Sequence, residues 1–289
     1  MTGIFFLFLG GISLLFSAII SQGPKGDIFS KKEGVGIIEL KGLIVTSEQV
    51  LKNLTSFRNN PNVKSIILRI ESPGGSVGAS QEIFEDVKRT NKVKPVVASM
   101  GSMGASGGYY AALGAEKIIA NPGTMTGSIG VIVKFPNLEG LFEKIGYKSV
   151  VVKSGAMKDV GASNRPLSSE ERALIQGLID NVFNQFVKAV AENRVMPEET
   201  VKELADGRIF TGEQAFEAGL IDGLGNFTDA VSMAAELGGL DPEQPELIYP
   251  SEERRFSLLN LLTGSNDQSF LEGFIPEYPV LSFEWTGMQ

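Results

Sequence analysis

Six short runs rich in valine and isoleucine punctuate the chain: VGIIELKGLIV (35–45), VKSIILRIES (63–72), KPVVASM (94–100), EKIIAN (116–121), GVIVKF (130–135) and YKSVVVKS (147–154). A strand with one wet face alternates apolar and polar residues, whereas a strand covered on both faces does not need to. Several of these runs are continuous, so they predict a sheet with helices on both sides. Amphipathic stretches fill the gaps. Residues 47–59 follow Thr46, with Gln49 three positions on, the spacing of a capping box. Residues 77–92 place Ile83, Phe84 and Val87 on one helical face. A long helix is predicted over 168–194, capped by Ser168 and Glu171, with an apolar stripe from Ile175 to Phe186. Shorter helices are expected at 197–206, 211–218 and 228–238. Strand and helix in alternation make an α/β domain.

The N-terminus reads differently. Residues 3–20, GIFFLFLGGISLLFSAII, carry no charge. As a helix they would span about 27 Å, close to the thickness of a bilayer core. A cleaved signal peptide would want a basic start and a small-x-small cleavage site, and neither is present. An uncleaved anchor over 1–25 is therefore the favoured reading, with a polar tether at 26–33, a globular domain at 34–240 and a tail at 241–289. Lys25, Lys31 and Lys32 follow the apolar run. By charge alone they would lie on the cytoplasmic side.

Two absences narrow the chemistry. The chain has no cysteine, which removes thiol catalysis, disulfides and cysteine zinc sites. It has no histidine, which removes the commonest general base and makes a Ser-His-Asp triad impossible. The net charge of −8 and the lack of a basic cluster give no footprint for nucleic acid. No acidic cluster proposes a metal site.

Four small-residue stretches remain. SPGGSV (72–77) joins a strand to a helix through Pro73, Gly74 and Gly75, and such glycines expose backbone N–H groups. MGASGGYY (103–110) sets Ser106 before Gly107 and Gly108, at a turn between strand and helix. TGSIGV (126–131) carries Ser128, and SGAMKD (154–159) carries Lys158. Alone, each is also compatible with an ordinary turn or cap. If Ser106 is a nucleophile, its proton must go to Lys, Glu, Asp or Tyr. No S-x-x-K pairing occurs, so a lysine base must come from elsewhere in the chain. Lys158 follows the apolar run 147–154, where burial could keep its amine neutral.

Taken in order, SPGGSV, MGASGGYY, TGSIGV and SGAMKD resemble the SppA-type signal peptide peptidases, membrane-associated serine-lysine proteases of bacteria and archaea. ADGRIFTGEQAFEAGLIDGLG (205–225) looks like the C-terminal segment of that family. The resemblance covers about residues 34–235. It implies a Clp-protease/crotonase-like fold of repeated ββα units behind an N-terminal transmembrane helix. Ser106 would be the nucleophile, Lys158 its general base, and Ser128 would orient the lysine. Gly75 and Gly107 would offer the oxyanion hole. No cofactor or metal is implied. Substrates would be peptides, remnant signal peptides among them. The active form would be a homo-oligomer on the cell membrane, with the catalytic domain on the extracytoplasmic side. The alternatives are a crotonase-like acyl-CoA enzyme and a membrane scaffold with a dead site.

Overall fold

The computed structural model describes residues 32–250 and 282–284. The expected membrane anchor lies outside the described residues. Among the described residues, no helix is long and apolar enough to cross a membrane.

Strands β1 (Gly34–Lys41), β2 (Val63–Ser72), β4 (Val96–Ala105) and β5 (Lys117–Ala120) pair in parallel, β1 with β2, β2 with β4 and β4 with β5. These are four of the expected runs. β4 is a fork. Its first half (Val97–Met100) pairs with β5, and its end (Met103–Ala105) pairs with β6 (Met125–Gly127). β7 (Ile209–Thr211) closes that end antiparallel to β6. β8 (Gly223–Leu224) lies on β5, and β9 (Glu246–Ile248) extends the far edge beside β1. Two segments of the expected tail thus take part in the folded body, β9 and a strand at 282–284.

The continuous apolar runs are explained by burial on both faces. Ile66, Leu68 and Ile70 point into a large core shared with α1 (Glu48–Asn59) and α2 (Val77–Asn91). Ile67, Val35, Ile37 and Val97 point the other way, against Ala230, Val231, Ala234 and Ala235 of a helix, Phe227–Leu237. Every one of these side chains is less than a tenth exposed. Burying one such side chain contributes about 1.5–3 kcal/mol, so the two-sided core fixes where β2 and β4 end. Those ends carry the site.

The sequence expectation fails at three places. Of residues 130–135, only Ile132 makes a bridge. Residues 147–154 form no strand: Val150 and Val152 are 89% and 96% exposed. Their residue types favour β structure, but one chain offers them no edge to pair with. The first helix is capped at Ser47, not Thr46, and no side chain caps it. Ser47 donates its hydroxyl to Glu82 instead. The long helix, Ser169–Arg194, does have its capping box at Ser168 and Glu171. Only its second half is sunk, through Phe186, Val187 and Val190, whereas Leu174 and Leu178 lie exposed.

Candidate active site

The floor of the site begins at the end of β2. Pro73 interrupts the ladder, and the chain re-forms as β3 (Gly74–Ser76) one layer out. Ile44 takes two bonds from this short strand: its N–H donates to the Gly74 carbonyl at 2.8 Å, and its carbonyl accepts from Ser76 N–H at 2.7 Å. Backbone groups alternate sides along a strand. The N–H and carbonyl of Gly75 therefore face the opposite edge. There β10 (Ser282–Glu284) runs antiparallel, with Phe283 opposite Gly75. Ser282 exchanges both its backbone bonds with Ile132, at 3.0 and 3.1 Å. By the same alternation, the Phe283 carbonyl turns to the Gly75 N–H.

A second amide lies beside that oxygen. A Cβ placed on Gly74 would lie 1.9 Å from the Phe283 oxygen and 2.6 Å from the Gly107 nitrogen. One placed on Gly107 would lie 3.1 Å from both the Gly75 nitrogen and the Phe283 oxygen. Gly75 and Gly107, far apart in sequence, thus converge on one carbonyl. Gly74 has φ +100°, so it is excluded from bearing a side chain both by conformation and by space.

Ser106 sits between β4 and a short helix, α3 (Gly107–Ala112). Its φ of 52° and ψ of −113° are rarely adopted outside glycine. Such a conformation costs about 1–3 kcal/mol and persists only when neighbours enforce it. Here Ser106 N–H donates to Gly127 at 2.8 Å, and its carbonyl accepts from Tyr110 N–H at 2.8 Å. Ser128 is a second serine with positive φ, 49°, held by a 2.8 Å bond from its N–H to the Arg208 carbonyl. Both serines are buried and line one cleft of about 430 Å³. Ile132 and Glu284 line it from one side, Phe183 and Asp206 from others.

The structure therefore brings Ser106, Ser128, Gly75 and Gly107 together. Lys158 is not with them. It stands on a single turn, Ala156–Asp159, is exposed, and does not line the cleft of its own chain. The expected burial of Lys158 is not met within one chain. Its turn is nonetheless tied down. Asp159 pairs with Lys153 and, at 3.0 Å, with Arg165. Arg165 then grips Glu171 through two bonds, 2.8 and 2.5 Å. These charges hold the Asp159 carboxyl below its ordinary range, through Lys153 first, and the Glu171 carboxyl down at about 2, through Arg165 first.

Sequence reasoning missed Phe283 and Glu284. No local pattern marks them, because their place depends on pairing with a strand some two hundred residues earlier. The clue available was that β3 would otherwise be a bare edge.

The profile of Peptidase family S49 matches residues 88–241, and that of Clp protease matches residues 27–126. The chain belongs to peptidase family S49. A Synechocystis protein, assigned as a protease by name only, is 45% identical over 241 residues, which cover 83% of this chain and 86% of the relative. The chloroplastic serine protease SPPA of Arabidopsis thaliana is 34% identical over 79% of this chain, but the match takes in only 34% of the plant protein. The solved structure of a mutant 1510-N membrane-bound stomatin-specific protease shares the fold at TM-score 0.50 and 17% identity, covering 77% of this chain and all of that one. As an S49 peptidase, the chain is a serine-type protease with an SppA-like domain, and its substrates are peptides.

Proposed function

We propose that this S49 peptidase is a membrane-anchored endopeptidase in which Ser106 of one copy is served by Lys158 of an adjacent copy. Neutral Lys158 takes the Ser106 hydroxyl proton as the oxygen attacks a peptide carbonyl. The oxyanion is held by the N–H groups of Gly75 and Gly107. Lys158 then gives its proton to the leaving amine, and water hydrolyses the acyl-enzyme. Ser128, beside Ser106 in the cleft, orients the incoming amine. The uncharged run 3–20 anchors the chain at the membrane surface, with the catalytic domain outside the cytoplasm, where remnant signal peptides are the nearest extended apolar substrates.

The observation that carries this reading is a peptide carbonyl lying against the Gly75 and Gly107 amides, next to a buried, strained serine. A homo-oligomer follows from the position of Lys158, exposed and outside its own cleft, and from the uncovered valines just before it. A contiguous apolar surface of this kind belongs at an interface.

The test is complementation. Full-length Ser106→Ala and Lys158→Ala proteins are each expected to lose hydrolysis of an unstructured leucine-rich peptide, by about 10⁴-fold or more. Mixed and reassembled in detergent, they should regain a fraction of wild-type turnover, because some cleft then pairs an intact Ser106 with an intact Lys158. No recovery on mixing, with both variants folded and assembled, would refute the shared site.

A further inference from the structure

We infer that the bond between Phe283 and Glu284 is a cleavage site for the chain's own Ser106, and that the aromatic box holding Phe283 selects the residue on the amino side of the scissile bond. The inference rests on the serine chemistry proposed above and adds what that chemistry acts on.

The three residues of β10 lie in the manner of an extended peptide substrate. They pair antiparallel with β3 on one side and, through Ser282, with Ile132 on the other. A strand clamped between two strands is held by backbone bonds, so its side chains are free to be read by pockets. One is. The Phe283 ring is fully buried, stacked on Tyr110 at 5.1 Å between centroids and packed on Phe186 at 4.7 Å. Phe84 closes the box against Tyr110 at 5.2 Å. The Phe283 carbonyl sits at the Gly75 and Gly107 amides, and the next residue, Glu284, borders the cleft of Ser106 and Ser128. Ring in the pocket, carbonyl at the two amides and following residue at the serine make one register. In that register the bond presented for attack joins Phe283 to Glu284.

The step balances without any further reactant. The Ser106 oxygen bonds to the Phe283 carbonyl carbon and its proton passes to the lysine. The carbon–nitrogen bond to Glu284 breaks, and the Glu284 amine leaves with the lysine's proton. Water then releases Phe283 as a carboxylate.

The test follows the full-length chain in detergent by mass spectrometry, beside hydrolysis of the leucine-rich reporter. Wild type is expected to accumulate a species ending at Phe283, having lost residues 284–289, and Ser106→Ala is expected to keep them. A synthetic peptide of residues 280–289, VLSFEWTGMQ, should be cut at the same bond. Its Phe→Ala analogue should be cut at least about tenfold more slowly and its Phe→Leu analogue nearly as fast, since the ring's burial is what selects it. These peptides remove any dependence on the folding of a tail variant. A wild type that hydrolyses the reporter but leaves its own tail and the peptide intact overturns the inference and leaves the serine chemistry standing. So does cleavage of the Phe→Ala analogue at the rate of its parent. An enzyme that cuts neither reporter nor tail overturns both.

Discussion

The floor of the cleft and the segment that bears Lys158 are built in opposite ways. Around Ser106, the residues belong to β3, β4 and β6, are almost wholly buried, and are fixed by backbone bonds under 3 Å. From residue 138 to 160 the chain has one short helix, Glu139–Ile145, and one further turn, with apolar side chains facing outward at Leu141, Ile145, Tyr147, Val150 and Val152. The first region satisfies itself. The second contains β-forming residues with no strand to pair with and a lysine with no serine to serve. An S49 peptidase domain of this length therefore makes half of its chemistry alone and presents the other half outward.

That contrast can be attacked from the exposed side first. Val150→Asp with Val152→Asp should leave the unfolding midpoint of the single chain nearly unchanged, since substitutions at positions this open typically shift stability by no more than about 0.5 kcal/mol. Light scattering should nevertheless report a smaller particle. Hydrolysis should fall to the level of Lys158→Ala, about 10⁴-fold or more below wild type. Full activity in a monomeric double variant would show that the outward face is not needed.

The buried side should respond to much smaller chemistry. Gly74→Ala adds one methyl, but its carbon would collide with the Gly107 nitrogen and with the strand paired to β3. At φ +100° the backbone strain alone is about 1–3 kcal/mol. Moving the two amides by a fraction of an ångström should lower kcat by about 10²–10³-fold, the cost of losing an oxyanion donor. The midpoint should drop as well. Steady-state kinetics and a thermal melt on one sample read both effects.

The smallest expected effect joins the two regions. Arg165, and after it the Ser168 amide, hold the Glu171 carboxyl near 2, below the roughly 4.3 of an unfolded glutamate. A carboxyl whose folded pKa is depressed contributes stability that is fully present above about pH 4.3 and is lost as the pH falls toward 2. Glu171→Gln lacks that contribution. The gap between the melting curves of wild type and Glu171→Gln should be widest above pH 5 and close as pH approaches 2. A gap that is constant over pH 2–6 would mean the Arg165 pair does not hold the Lys158 turn.

How much of this was legible in the sequence differs between the same two regions. Ser106, Gly107 and Gly75 could be read because a tight turn with exposed amides tolerates few residue types, and those types stand together locally. The strands β1, β2, β4 and β5 could be read because burial on both faces leaves a continuous apolar signature. Residues 147–154 carry the same signature, yet they form no strand. Valine favours a pleated, half-buried surface only where some neighbour supplies the other half. The strand at 282–284 was illegible for the converse reason: three ordinary residues become a strand only because Gly75 leaves its N–H and carbonyl pointing outward. Lys158 was picked out by its surroundings in sequence, but the burial expected for it is not provided by its own chain.

The short strand β3 has one more consequence. Its outer edge is a row of unpaired backbone groups unless something lies on it, and such an edge is a template for indiscriminate association between molecules. β10 covers that edge. A peptidase of this design faces a choice whenever the cover leaves: either a substrate strand takes its place, or the enzyme is exposed to the same edge-to-edge pairing that drives aggregation. The groove that must open for turnover is thus also the surface that most needs protecting between turnovers, and one segment of chain serves as its guard.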